Sequence, residues 1–208
     1  MNVEIICPLY NAETYLTDLH QSLLKQENVD ILNIHYVLTR SVDQSENILR
    51  NLNHCTFHII EKKDFSHSLT RENAAFASKA DILTFITQDI KIYRTDWLYN
   101  LIQPIMANEC AAAYSRQICD DPKSIEKYIR EVNYPAESKI KSKKDISKSG
   151  LNTFFFSDVS SAIKREVFIQ MNGYDHKDFK FNEDMYFAYK LITNGYQIKY
   201  CADSEVVH

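Results

Sequence analysis

Short apolar runs alternate with longer segments in which apolar positions recur every three or four residues, and this rhythm holds through roughly the first 120 positions. Val3–Cys7, Ile34–Leu38, Thr56–Ile60 and Ile82–Thr87 read as strands. Between them, Ala12–Gln26 reads as a helix with Leu16, Leu19 and Leu23 on one face, and Ser45–Leu52 as a second helix behind the cap Asp43. Ser68 caps an Ala-rich helix running to Lys79, and Thr95 caps a helix holding Trp97, Leu98 and Leu101 that Pro104 is expected to kink. Strands alternating with helices predict an α/β fold with a mostly parallel sheet.

After Ala111–Tyr114 the rhythm breaks. Asp121–Pro135 reads as a short polar helix, Lys139–Lys148 as a lysine-rich loop, and Ile163–Met171 as a helix closed by Gly173 at C′. A last amphipathic helix opens on Glu183-Asp184, with Asn182 as N-cap and Gly195 as its stop. The 208 residues suit one domain, whose pattern changes character near residue 110. The chain ends at Glu205-Val206-Val207-His208, straight off a strand-like segment, as a domain cut from something longer would.

Composition narrows the function. Net charge is −4, so no broad basic surface invites nucleic acid. Only three glycines occur, which removes G-x-G-x-x-G and P-loop phosphate cradles. Five scattered cysteines form no C-x-x-C pair, which disfavours a zinc site or a disulfide framework and fits a reducing, cytoplasmic compartment. No stretch approaches the ~20 apolar residues needed to span a bilayer. Peripheral membrane contact stays open, because Lys139, Lys141, Lys143, Lys144 and Lys148 suit either a solvated loop or lipid head groups and phosphates.

In open α/β sheets, ligands sit at the carboxyl ends of the strands. There this chain places Pro8-Leu9-Tyr10-Asn11, Thr39–Ser45, Asp64–Arg71 and Thr87-Gln88-Asp89. Pro8, Tyr10 and Asp43 offer a wall and hydrogen-bond partners to a nucleobase. Arg71, near a helix start, offers a guanidinium to a diphosphate. Asp89 offers one carboxylate to Mg²⁺ or Mn²⁺, with His208 as a second candidate at the metal. Asp184 is the choice for the base that takes an acceptor proton, and Glu183 is its competitor. Each has a plainer reading: a helix cap for Asn182-Glu183-Asp184, a turn for Thr87-Gln88-Asp89, a backbone-bonded turn residue for His67, and an inert exposed terminus for His208.

Taken in order, these segments resemble family 2 glycosyltransferases of the GT-A fold, and more narrowly the bacterial rhamnosyltransferase branch. Ile5-Ile6-Cys7-Pro8-Leu9-Tyr10-Asn11-Ala12 resembles the family's opening strand and nucleotide loop, and Ser41-Val42-Asp43-Gln44-Ser45 its Ser-Thr-Asp-Gly-Thr segment. Phe65-Ser66-His67 with Thr70-Arg71-Glu72-Asn73 is similar to the Phe-Asn-His-Gly-Gly-Thr-Arg-Asn run. Thr87-Gln88-Asp89 matches that branch's Asp-x-Asp motif, which implies that Gln88 and His67 lie at the donor. Arg116-Gln117, Asn133-Tyr134-Pro135 and Phe154-Phe155-Phe156-Ser157-Asp158 look like acceptor-side features. Glu183-Asp184 matches the pair whose aspartate is the general base.

The resemblance implies a three-layer α/β/α sandwich around a Rossmann-like sheet, with residues 1–109 on the donor side and 110–208 on the acceptor side. It also implies an inverting, metal-dependent transfer of a sugar from dTDP-rhamnose or a UDP-sugar to a glycan or lipid-linked glycan hydroxyl. The chain departs from the family at Leu38-Thr39, where acidic residues are usual, at Arg40, which replaces a glycine, and at Ser68-Leu69, which replace a glycine pair. Those departures support the rival reading of a non-catalytic nucleotide-sugar or glycan-binding module. A nucleotidyltransferase would want a Gly-rich, cationic first loop that Pro8-Leu9-Tyr10-Asn11 does not supply.

Overall fold

The first four strands stack in parallel: β1 (Asn2–Leu9), β2 (Asp30–Thr39), β3 (Thr56–Ile60) and β4 (Ile82–Ile86). This is seen in a computed structural model that describes residues 1–121 and 123–208. The second half adds β5 (Ala112–Ile118), β6 (Lys139–Lys141), β7 (Ser160–Lys164) and β8 (Ile198–Val207), giving one sheet ordered β3-β2-β1-β4-β7-β5-β8-β6. β7 lies antiparallel between β4 and β5, and β6 antiparallel to β8.

Eight helices connect these strands among the described residues: α1 (Leu16–Leu24), α2 (Ser45–Asn51), α3 (His67–Ala77), α4 (Trp97–Met106), α5 (Ile125–Asn133), α6 (Ile146–Ser149), α7 (Arg165–Gln170) and α8 (Glu183–Thr193). Strand alternation sorts them into two layers. Val3, Ile5, Cys7 and Leu9 of β1 pack with Leu16, Leu19 and Leu23 of α1, Leu49 of α2 and Trp97, Leu98 and Leu101 of α4. Ile6, Leu83 and Phe85 point the other way, onto Ala74 and Ala75 of α3, Phe168 of α7 and Phe187 and Leu191 of α8. Each fully buried leucine or isoleucine contributes about 1.5–3 kcal/mol, so the layering follows from residue order.

Several local expectations need correction. Ser66, not Ser68, caps α3, accepting from the Leu69 N–H at 3.2 Å. Thr95 caps nothing: α4 starts after Asp96 with no side-chain cap, and it runs through Pro104 to Met106. Ala12–Tyr15 form turns, so α1 starts at Leu16. Gln44 takes the cap position of α2, although Asp43 accepts from the Ser45 N–H at 3.1 Å.

In the second half, Ile163 and Lys164 finish β7, so α7 is shorter than the expected helix. Asn172, at φ +56°, holds C′ there and Gly173 follows it, bonding back to the Phe168 carbonyl at 2.9 Å. The lysine-rich stretch is ordered: it holds β6, a 3-10 turn at Lys143–Asp145 and α6. Asn182 precedes α8 but sits at φ +61° and makes no side-chain cap, whereas Gly195 does end that helix, at φ +90°. Finally, α5 is not simply polar. Ile125, Tyr128, Ile129 and Val132 form an exposed apolar stripe, while Arg130 turns inward.

Candidate active site

The metal-side candidates meet because the end of β8, which lies between β5 and β6, pairs with the segment that follows β4. Lys91 and Val207 exchange backbone hydrogen bonds at 2.9 and 3.0 Å, and the His208 N–H donates to the Ile118 carbonyl at 3.0 Å. This delivers His208 Nε2 to within 3.5 Å of Asp89 Oδ2. The His208 hydrogen bond, opposed by burial, holds the Asp89 carboxyl down at about 2. On its other side, His208 Nδ1 lies 2.9 Å from an Arg130 N–H, which can only donate, so Nε2 carries the proton toward Asp89. Arg130 also bonds Gln117, whose amide reaches Ser157 at 2.9 Å.

The candidate donor-side loops are tied to one another. The Gln88 side chain accepts from the Tyr10 N–H at 2.8 Å and donates to the Tyr10 carbonyl at 3.0 Å, which fastens the first loop to Asp89's. Gln88 therefore uses its amide on this loop. Tyr10 stays exposed, with the Lys62 ammonium 5.2 Å over its ring. Asn11, at φ +47°, accepts from Val42, while its N–H donates to Ser41 at 2.9 Å. Asp43 accepts from the N–H groups of Glu13 and Ser45 at 3.0 and 3.1 Å. Pro8 is half-buried, and His67 is exposed at the first turn of α3 with its ring edge-on to Phe65.

Arg71 is placed differently from the expectation of an open cation. It is buried, 3.4 Å from Glu183, and donates to the His67 carbonyl at 2.8 Å. That pairing separates the two competing carboxylates at the start of α8. Glu183 is buried and engaged, whereas Asp184 is half-exposed and has no cation within salt-bridge distance among the described residues. Asp184 accepts the N–H groups of Met185 at 2.7 Å and Asp158 at 3.3 Å. Burial first, then the neighbouring Asp158 and Glu183 charges, push its carboxyl up to about 7.

Asp158 escaped the assignment of roles from sequence. It is buried, which raises its carboxyl above the ordinary range, and it accepts hydroxyl hydrogen bonds from Ser161 and Tyr174, both at 2.6 Å. The Thr87 N–H donates to the Val159 carbonyl at 3.2 Å, so the Asp89 loop and the Asp158–Asp184 contact share one edge of the sheet. Glu72 and Ser68 were missed too. Glu72 accepts from the Tyr174 N–H at 2.6 Å, and Ser68 bonds Lys177 and Phe179 at 2.6 and 2.9 Å. Together they pin the loop that leads into α8. No spacing rule finds them, because their partners lie more than a hundred residues away.

One carboxylate and one imidazole make a partial shell for Mg²⁺ or Mn²⁺, with room for diphosphate oxygens and water. No group of three or more His, Cys, Asp or Glu side chains gathers for a metal among the described residues. Asp89 fits as a ligand as it stands. His208 fits once its proton moves to Nδ1, which requires Arg130 to release that nitrogen.

Residues 4–171 match the profile of glycosyl transferase family 2. The O-antigen chain rhamnosyltransferase RfbN of Salmonella typhimurium is 31% identical over 210 residues, covering 100% of this chain and 66% of that protein. The chain thus spans about two thirds of that relative's length. S. aureus TarS 1-349 in complex with UDP matches with a TM-score of 0.76 at 18% identity, over 100% of this chain and 60% of that one. The mannosyltransferase PcManGT of Pyrobaculum calidifontis, in complex with GDP-Man and Mn²⁺, matches at 0.69 and 17%, over 99% and 56%. These two likenesses establish the fold, which is GT-A.

Proposed function

Because the chain belongs to glycosyl transferase family 2, we propose that it moves a sugar from a nucleoside diphosphate to a hydroxyl of a glycan. The proposed sugar is rhamnose, given as dTDP-rhamnose, and the proposed acceptor is a surface or cell-wall polysaccharide or its lipid-linked precursor. The name of RfbN and the Phe65–Asn73, Thr87–Asp89 and Arg116-Gln117 motifs support that choice. No helix among the described residues is long and apolar enough to cross a membrane.

The observation that carries the reading is Asp184 itself: a half-exposed carboxylate with no cation within salt-bridge distance among the described residues, on the sheet edge that holds Asp89. In the proposed reaction the acceptor oxygen attacks the anomeric carbon as its proton passes to an Asp184 oxygen. The bond from that carbon to the diphosphate oxygen breaks, and the anomeric configuration inverts in one displacement. A carboxylate with its pKa near 7 is suited to accept that proton near neutral pH. Glu183 and Arg71 neutralise one another and hold the start of α8, while Asp158 fixes one Asp184 oxygen through its backbone N–H. A divalent cation held by Asp89, with His208 in its other tautomer, would supply charge neutralisation to the leaving diphosphate. Tyr10, Asn11 and Asp43 frame the proposed nucleotide loop.

The test is nucleoside diphosphate release from dTDP-rhamnose, UDP-glucose, UDP-N-acetylglucosamine and GDP-mannose, with O-antigen-type acceptors and Mn²⁺. Acceptor-dependent turnover of dTDP-rhamnose, with the product's anomeric configuration inverted by NMR, is the expected result. Turnover of another donor alone would replace the sugar, and retained configuration would remove the single-displacement mechanism.

A further inference from the structure

A pocket of about 680 Å³ opens between the end of α5, β6 and β8, within the size range of small-ligand sites. Tyr114, Phe155 and Tyr200 wall it, Asn152 and the 135–139 segment form its rim, and Lys141 lies at its base. Lys141 is only 5% exposed. Its ammonium donates to the Phe155 carbonyl and sits 4.8 Å from the Tyr114 ring and 5.7 Å from the Phe155 ring.

Among the described residues no carboxylate lies within salt-bridge distance of that ammonium. Asp145, the acidic group that influences it, is occupied by the Ser142 N–H and hydroxyl at 2.8 and 3.0 Å. A buried cation with spare N–H donors and no counter-charge is costly unless something anionic completes it. Burial, followed by the neighbouring Lys139, draws its pKa down to about 7.

Aromatic walls around a cationic donor suit a pyranose, whose C–H face packs on rings while an acidic substituent meets the ammonium. We propose that this pocket is a subsite for a unit of the acceptor glycan that bears an anionic group, either a uronic acid carboxylate or a sugar phosphate, with Lys141 as its counter-charge. This rests on the reading of residues 110–208 as the acceptor side. Position supports it: the Tyr134 ring lies 5.5 Å from Phe155 and 6.2 Å from Tyr200, and Phe155 comes three residues before Asp158, whose N–H bonds Asp184 at 3.3 Å.

Binding without donor tests the pocket apart from the transferase reading. Methyl glucuronide, glucose 1-phosphate and methyl glucoside are titrated into the protein by calorimetry or ligand-observed NMR, with nucleoside diphosphate and Mn²⁺ occupying the donor site. The expectation is that at least one anionic ligand binds about tenfold tighter than the glucoside, with the glucuronide and the phosphate arms identifying its source. Lys141→Met should erase that preference. In the unaltered protein the preference should weaken from pH 6 to pH 9 as Lys141 loses its proton, with Lys139, Glu137, Asp145, Tyr114 and Tyr200 the other ionisable groups around it. Equal binding of all three ligands, or a preference that survives both Lys141→Met and pH 9, overturns the subsite. Anion-selective binding in a protein that turns over no donor would keep the subsite and sink the transferase reading.

Discussion

Two adjacent carboxylates at the start of α8 have different fates, and their partners decide which. Glu183 is buried against Arg71, which compensates its charge and engages its Oε1 at 3.4 Å. Asp184 is beside Asp158 instead, and burial with that neighbour raises its proton affinity to about 7. If Asp184 is the base, kcat must fall as pH drops through about 7, because only the ionised carboxylate can take the acceptor proton. Asp158→Asn removes a negative charge that opposes ionisation, so the acid limb should move to lower pH. Glu183, Tyr134 and, through Asp158, Arg71 are the other charged or titratable groups bearing on this site, and they stay in place. A limb that stays put would remove Asp158 from the control of Asp184.

Stability runs the opposite way with pH. The folded pKa of Asp184 lies above the ordinary value of 3.8, so the native state binds the extra proton between that value and about 7. That contribution is present at low pH and is lost as pH rises through 7. Thermal melts of Asp184→Asn should therefore match the parent near pH 4 and exceed it by a few degrees at pH 8.

At the scale of elements, α3 is the clamp between the two halves. Its cap Ser66 sets the start, Ser68 and Glu72 hold the 174–179 loop, and Arg71 reaches α8. Arg71→Met would leave Glu183 buried without a partner and should cost about 3–5 kcal/mol in urea unfolding. Ser66→Ala, which removes a cap and a 3.2 Å hydroxyl contact with Ser68, should cost about 1 kcal/mol. If both variants lose the same small amount, Arg71 is not holding α8.

This clamp marks where the sequence stopped being readable. The sequence pattern revealed β1 to β4 because each is a short, mostly apolar run bounded by polar segments. β7 carries no strand signal in Ser160–Ala162, and its last two residues, Ile163 and Lys164, fall in the expected helix Ile163–Met171. Its Ser160-Ser161-Ala162 run is small and polar, yet those side chains are buried: Ser160 meets Trp97 and Ser115, while Ser161 meets Asp158. Candidate chemistry stood out where it sat at a strand end, as with Asp89, or a helix start, as with Asp184. The partners that define those groups, Asp158, Arg130 and the buried Arg71–Glu183 pair, depend on tertiary contacts that no local spacing encodes.

Across the whole molecule, the sheet order brings together groups from distant parts of the chain. β8 lies between β5 and β6 and carries His208 to Asp89, and β7 beside β4 brings Asp158 and hence Asp184 to the same edge. Asp89→Ala should abolish the Mn²⁺-dependent part of stabilisation by deoxythymidine diphosphate, which in the parent should reach about 2.7 kcal/mol at a hundred times its Kd. His208→Ala should reduce it less, because His208 must first exchange its proton to become a ligand. Unchanged metal response in Asp89→Ala would place the metal elsewhere.

The most direct test of the central claim is single-turnover transfer by Asp184→Asn, measured with saturating donor beside the affinity for that donor. The account predicts a fall in the transfer rate of about 10²–10⁴-fold, with donor Kd within about twofold of the parent. Transfer at the parental rate, or a loss of donor affinity as large as the loss of rate, would contradict Asp184 as the base.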